Sequence, residues 1–198
     1  KKSHPNIKSI TAFLEAMEQT VSQLKNHPCI CYWTIFNEGW GQFCSTEAYR
    51  RLKELDDSRF AASTSGWFKG GESDVFSEHC YFKQFKPKKT VLPLVLTEFG
   101  GYAFAPKEHV FNPNEEYGYK KFKTREELSA AVVNLYEQDI IPAIENGLCA
   151  AIYTQVSDVE DEINGLLTYD RKVVKVDADR MMKIADALKA TIATKKED

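Results

Sequence analysis

The chain has 198 residues, of which 43% are hydrophobic and 28% charged, an ordinary composition for a globular protein. Its net charge of −3 at pH 7 offers no basic surface to nucleic acid or anionic lipid, so we expect neither as a partner. No apolar stretch is long enough to span a bilayer and no signal-peptide pattern opens the chain, which leaves its cellular location undetermined.

The predicted elements alternate between amphipathic helices and buried strands. Apolar residues at three- and four-residue spacing predict helices over 7–24, around 48–55 and over 181–192. The run CICYWTIF has no polar alternation, which indicates a strand that is buried on both faces, as in a parallel sheet. In chain order, buried strands are predicted at residues 29–36, 60–64, 75–81, 92–98 and 148–153.

A long loop rich in aromatic residues, Pro and Asn is predicted over 100–123. Thr124 and Glu127 then form a capping box, which predicts a helix that reaches Ile144, with Gly147 as its stop. Alternating strands and helices indicate a parallel α/β fold. A doubly wound nucleotide-binding sheet is the main competitor, but no GxGxxG or GxxxxGK[ST] motif follows any predicted strand.

Polar side chains lie at the ends of the predicted strands, where the chemistry of a (β/α)₈ barrel is located. Glu38 and Glu98 close the two most hydrophobic strands, where an unpaired carboxylate is costly. Either one alone is also compatible with a loop or helix-start carboxylate. Two at equivalent strand ends match the pair that glycoside hydrolysis needs, one acid and one nucleophile or base.

Five segments resemble the catalytic barrel of glycoside hydrolase family 2: WTIFNEGWGQ, LKELDDSRF, DVFSEHCYF, LVLTEFGG and YTQVSDVEDEINGLLTYDRK. That family includes β-galactosidases, β-glucuronidases and β-mannosidases. The resemblance implies a retaining β-glycosidase with Glu38 as acid/base on strand four and Glu98 as nucleophile on strand seven. It also implies that Asn37 hydrogen-bonds the sugar 2-hydroxyl and that Tyr81, on strand six, lies beside the nucleophile. From there the Tyr81 hydroxyl can donate a hydrogen bond to Glu98.

The chain departs from the family pattern at two places. Many relatives have Trp at the end of strand eight, where we assign Tyr153 as the floor of the sugar site. The Asn-x-Lys motif by which β-glucuronidases bind the uronate is replaced by Glu162-Ile163-Asn164, which favours a neutral sugar such as galactose. The ring of Trp40 is expected to contact the sugar, whereas His79 is equally compatible with a sugar contact and a structural role.

No metal or organic cofactor is needed for this chemistry, and we expect none. Asp158, Glu160 and Asp161 are interpreted as a solvated acidic loop, because their spacing is not that of an EF-hand. The cysteines form no CxxC pair, which favours buried inert thiols over metal ligation or a disulfide framework: Cys29, Cys31, Cys44, Cys80 and Cys149.

The resemblance assigns the predicted strands to positions four to eight of an α/β (β/α)₈ TIM barrel, which typically needs about 250 residues. We therefore expect residues 1–198 to be the C-terminal portion of the barrel, without strands one to three and the accessory β-sandwich domains. Such a portion should be inactive or nearly so alone, and should self-associate or bind the rest of the parent chain. A catalytically silent carbohydrate-binding or scaffold module is the alternative.

Overall fold

The computed structural model describes residues 6–39 and 41–194, which divide into two compact units. Of these residues, the first unit contains 6–39, 41–79 and 90–97, and the second contains 80–89 and 98–194. Two strands that begin in the first unit, β3 and β4, have their last residues in the second.

The first unit is built from helices packed beside short strands. Its core contains Val21 of α1, Leu52 of α2 and Ala61 of β2. Strands β1 and β2 pair in parallel, with Trp33 opposite Ala61. The neighbours β3 and β4 are joined by a 2.5 Å hydrogen bond between the hydroxyls of Ser77 and Thr97. The elements are α1 (Ile7–Leu24), β1 (Tyr32–Phe36), α2 (Ser45–Leu55), β2 (Phe60–Thr64), β3 (Phe76–Cys80) and β4 (Leu94–Gly100).

The second unit is organised around a core of Leu128, Val132 and Val176. A short parallel pair of strands joins the two ends of the loop that follows β4. Beyond the last residues of β4, the Gly101 amide donates to the Thr154 carbonyl at the end of β7. The elements are β5 (Tyr102–Ala103), β6 (Lys120–Lys121), α3 (Arg125–Leu135), a π-helix (Tyr136–Ile140), α4 (Ile141–Glu145), β7 (Leu148–Thr154) and α5 (Ala178–Thr194).

The predicted start of α3 is confirmed. The Thr124 hydroxyl accepts a 3.1 Å hydrogen bond from the Glu127 amide, while the Glu127 carboxylate accepts one from the amide of Lys123. The helical run reaches Ile144 as predicted, since α4 ends at Glu145, but it is not α-helical throughout, because the π-helix intervenes before Pro142. Proline has no N–H and its ring clashes with the preceding turn, and the Ile141 amide bonds to Tyr136, five residues back.

The predicted burial of the strands holds for β4, where only Glu98 is partly exposed, but it is wrong for β7, where only Leu148 is buried. Strand β1 is also mostly open, with Phe36 alone buried, because it has one neighbouring strand, β2, among the described residues. The expectation of buried thiols is wrong as well: Cys80 is half-buried and the other four cysteines are exposed.

The mixed α/β class is confirmed, whereas no closed barrel forms within residues 6–39 and 41–194, where no sheet has more than three strands. None of the described helices combines the length and the apolar character that crossing a bilayer requires.

Candidate active site

In the first unit, the Glu38 carboxylate is held by a buried histidine. The Nδ1 atom of His79, on β3, lies 2.5 Å from Glu38 Oε2, and the His79 side chain is 0% exposed. The loop after β2 lies directly against this ring, since a Cβ added to Gly66 would stand 2.6 Å from His79 Nδ1. Gly66 also has a φ of +68°, which favours glycine. The imidazole is therefore fixed in position beside Glu38.

Asn37, immediately before Glu38, connects the loops after β1 and β2. Its Oδ1 accepts a 3.0 Å hydrogen bond from the Ser65 hydroxyl, which orients the side-chain amide. The side-chain amide of Gln42 donates to the backbone carbonyl of Asn37 at 2.8 Å and to that of Phe68 at 3.0 Å. The two loops that surround Glu38 thus form one hydrogen-bonded structure. Trp40, predicted to contact the sugar, lies outside the described residues.

In the second unit, the Glu98 carboxylate is held by a tyrosine. The Tyr81 hydroxyl donates to Glu98 Oε2 at 2.5 Å, and the Thr154 hydroxyl lies 3.1 Å from the same tyrosine oxygen. Burial, together with the hydrogen bond to Glu98, raises the pKa of Tyr81 well above its ordinary value. Tyr81 therefore remains protonated and donates to the carboxylate across the whole neutral range.

A second ring keeps Tyr81 in place. Tyr119 stacks on it with ring centroids 3.9 Å apart and an angle of 14° between the planes. Gly101, at a φ of +66°, lies against both rings, and a Cβ there would stand 2.3 Å from Tyr119 and 3.1 Å from Tyr81. Sequence reasoning missed Tyr119, although it falls in the aromatic-rich loop predicted over 100–123.

Tyr153, assigned to the floor of the sugar site, lies next to the core of the second unit, where its ring packs edge-on against Phe99. Side chains alternate between the two faces of a strand, and the neighbouring residue that reaches Tyr81 is Thr154. The assignment of Tyr153 stays a prediction.

The interpretation of the acidic loop is corrected, since Asp158 is not solvated. It is 1% exposed and accepts hydrogen bonds from the ammonium of Lys175 at 2.7 Å and from the Gly165 amide at 2.8 Å. The lysine side chain is fully buried and donates a second bond to the Ile163 carbonyl. Burial raises the pKa of Asp158 and lowers that of Lys175. The Asp158 carboxylate is thus already paired with the ammonium of Lys175, and the pair holds the loop in place.

Each glutamate thus has a hydrogen-bonding partner that suits one chemical role. A carboxylate that accepts from a protonated tyrosine is stabilised as an anion, which is the form of a nucleophile. A carboxylate hydrogen-bonded to a buried imidazole is held in one orientation, as a group that gives and takes a proton at a fixed point must be. These are the properties required of a nucleophile and of an acid/base.

Comparison with known proteins gives a family match and similar folds. The family model described as "Glycosyl hydrolases family 2, TIM barrel domain" matches residues 2–173. A search of curated proteins gives no match.

Among solved structures, the chain is similar to a candidate β-galactosidase from Bacteroides fragilis, with 16% identity and a TM-score of 0.60 over 88% of this chain and 30% of that one. It is also similar to β-glucuronidase 2 of Bacteroides uniformis covalently bound to cyclophellitol-6-carboxylate aziridine, with 14% identity and a TM-score of 0.56 over 85% and 25%. A calcium-binding mutant of the same β-glucuronidase matches at 15% identity and a TM-score of 0.54 over 85% and 24%. The chain therefore spans less than a third of these structures, and the likeness concerns the fold.

Proposed function

The chain belongs to family 2 of the glycosyl hydrolases, as the TIM barrel domain of that family, and we propose that it supplies both catalytic carboxylates of a retaining β-glycosidase. The observation that carries the proposal is the hydrogen bond from Tyr81 to Glu98, which suits an anionic nucleophile at the end of a barrel strand. Glu38, bonded to His79, is the proposed acid/base.

The proposed reaction proceeds in two displacements. In the first, Glu98 attacks the anomeric carbon while the Glu38 proton passes to the glycosidic oxygen, so the carbon–oxygen bond breaks and the alcohol leaves. A glycosyl ester on Glu98 results. In the second, Glu38 takes a proton from water, the water oxygen attacks the anomeric carbon and the ester bond breaks. Two inversions retain the configuration.

Further contacts support these roles. With Asn37 Oδ1 accepting from Ser65, its amide nitrogen is the donor that we assign to the sugar 2-hydroxyl. We assign Thr154, through its contact with Tyr81, to the wall of the site beside Glu98. The covalent complex of the Bacteroides uniformis relative agrees with an enzyme-bound intermediate on a nucleophile such as Glu98.

We propose a neutral glycone, with β-galactosides as the first substrates to test. The similar structures include both a candidate β-galactosidase and a β-glucuronidase, so they do not distinguish the two sugars. Glu162 and Asn164 both accept hydrogen bonds from the side-chain amide of Gln155, at 2.9 and 2.7 Å. In place of the Asn-x-Lys motif expected in β-glucuronidases, this stretch has Asn164 where the lysine would stand, and the Glu162 carboxylate two residues before it would repel a uronate.

The direct test compares 4-nitrophenyl β-galactoside with the β-glucuronide on the natural protein that contains this chain. NMR of the first product should show the β-anomer, and a 2-fluoroglycosyl fluoride should label Glu98. Glu38→Gln and Glu98→Gln should each lower kcat by a factor of about 10³ or more, with binding preserved. An α-anomer as first product would refute the retaining mechanism, and binding without turnover in the unaltered protein would favour a silent binding module.

We also propose that residues 1–198 are a C-terminal part of the barrel and that strands outside them complete it. Strand β1 has a single neighbouring strand among the described residues, and Ile152 of β7 is 49% exposed. An unpaired edge and exposed apolar side chains favour association with another chain or chain segment. Light scattering should therefore show association of the isolated 198-residue chain, whereas a monomer with full turnover would contradict the proposal.

A further inference from the structure

Two exposed aromatic rings stand on the loop after β2, beside Glu38. Trp67 is 48% exposed and Phe68 is 58% exposed. Rings of this size are ordinarily buried, and most of the aromatic side chains in the first unit pack within it. Their exposure therefore indicates a binding surface only if the backbone that carries them is fixed.

That backbone is fixed by several hydrogen bonds. The Gly70 amide donates to the Thr64 hydroxyl at 3.0 Å, and the Gly70 carbonyl accepts from the Ser63 hydroxyl. At the other end of the loop, the Gly66 amide donates to the Ser77 hydroxyl at 3.3 Å. Both rings are thus presented to solvent by a loop that is anchored at its two ends.

Both rings also contact the residues that position Glu38. The Trp67 indole N–H donates to the His79 carbonyl at 3.3 Å, and its ring meets the imidazole edge-on, with centroids 6.4 Å apart. The Phe68 ring lies on Gly39, the residue that directly follows Glu38, where a Cβ would stand 2.9 Å from the ring. Gly39 has a φ of +112°, so glycine suits this position on both counts.

We propose that Trp67 and Phe68, hereafter the aromatic platform, bind the leaving group of the glycoside. The inference rests on the proposed function, because the acid that protonates the glycosidic oxygen faces the side of the bond from which the alcohol departs. A ring beside Glu38 is therefore placed to contact that alcohol. The two rings are uncharged, and the ammonium of Lys69, the next residue in the chain, is paired with Glu78 at 2.5 Å. The platform therefore offers a ligand no charged group. Its ligand is a neutral ring, either a sugar or an aryl group.

The platform should also act in the second displacement. A ring-bearing alcohol that occupies it can replace water: its oxygen bonds to the anomeric carbon, the ester to Glu98 breaks and the proton passes to Glu38. Transfer to such an acceptor therefore reports on the platform independently of the first step.

The test uses the natural protein with Trp67→Ala, Trp67→Phe and Phe68→Ala, and three substrates: methyl β-galactoside, 4-nitrophenyl β-galactoside and a β-galactosyl-glucose disaccharide. Trp67→Ala should lower kcat/KM for the two ring-bearing substrates by about 5- to 10-fold, with Trp67→Phe intermediate. The value for the methyl glycoside should change less than about 2-fold. Transfer of the galactosyl group to added 2-phenylethanol or glucose should fall in parallel. A larger loss for the aryl compounds identifies an aryl ligand, and a larger loss for the sugars identifies a sugar ligand. Phe111→Ala, an exposed ring of the second unit packed on Tyr169, is the control and should change nothing.

Binding is measured without turnover by calorimetry in the Glu98→Gln background, where Trp67→Ala should raise the Kd of the two ring-bearing substrates and leave that of the methyl glycoside unchanged. Equal losses on methyl and ring-bearing substrates, or no loss on either, would overturn the platform. If the unaltered protein cleaves no glycoside and the Kd still depends on Trp67, the proposed function fails while the platform stands.

Discussion

Removal of one oxygen, in Tyr81→Phe, tests how Glu98 is held. The hydroxyl donates to Glu98 at 2.5 Å, and the ring stays fixed by its stacking on Tyr119. Phenylalanine retains that stacking, so the variant removes the contacts of the hydroxyl with Glu98 and Thr154 and little else. Hydrogen bonds to charged groups contribute about 1.5–3 kcal/mol. If the bond supports the transition state, the glycosylation rate should fall by about 10- to 150-fold.

The assay is the pre-steady-state release of 4-nitrophenol from an aryl β-galactoside by the natural protein. The rate of the burst should fall, and KM should change little, because the lost bond orients the nucleophile and does not contact the sugar. Tyr169→Phe is a matched control, since its ring lies in the same unit and packs against Phe111. Burial and Glu98 raise the pKa of Tyr81, so the hydroxyl is protonated throughout and the ratio of the two rates should not vary between about pH 5 and 9. A loss of less than about 3-fold, or a ratio that changes through this range, would refute the role.

Three further results are expected. Gly66→Ala would place a methyl group against His79 Nδ1 at a positive φ, so kcat should fall about 10-fold or more, whereas an unchanged kcat would contradict the contact. Lys175→Met leaves its carboxylate partner buried and unpaired, so the free energy of unfolding measured in urea should fall by about 3–5 kcal/mol, and a loss below about 1 kcal/mol would argue against burial of the pair. The hydrogen bond from His109 lowers the pKa of Asp170, so it stabilises the fold above the ordinary Asp pKa of about 3.9 and is lost as the pH falls below it. Asp170→Asn should therefore reduce the loss of stability on acidification in thermal melts, and an unaltered acid limb would contradict this.

The two glutamates could be predicted because their chemical setting is local. Glu38 and Glu98 each end a run of apolar residues, where an unpaired carboxylate is costly to bury. Such a carboxylate therefore points to a function, and the flanking motifs indicate which one. The role of Thr154 could not be predicted in the same way. In a strand, a shift of one residue turns every side chain to the other face, so the pattern AIYTQ does not say whether Tyr153 or Thr154 faces the site. In the structure, Thr154 is the one of the two whose hydroxyl contacts Tyr81.

Ion pairs between residues far apart in the chain are the second feature that the sequence does not reveal. Asp158 was interpreted as solvated because its neighbours in the chain are acidic, yet its partner is Lys175, which lies 17 residues away. A lysine between Val174 and Val176 was the available signal, since a charged residue inside an apolar run is buried only when it is paired. Burial of β7 was overestimated for a related reason, because apolar residues predict that a strand can be covered but do not say by which element.

In each unit, a glutamate is held in the same physical way. A glutamate side chain with three free torsion angles is of little use to a reaction that needs its oxygen within a fraction of an ångström. In the first unit, a histidine ring fixes Glu38, and Gly66 lets the backbone lie against that ring. In the second, a tyrosine ring fixes Glu98, and Gly101 leaves room for Tyr119, the ring that stacks on that tyrosine. Each glutamate is therefore oriented by a ring whose own position depends on a glycine with positive φ, so substitutions at these glycines should act on the rate of the chemical step before they act on binding.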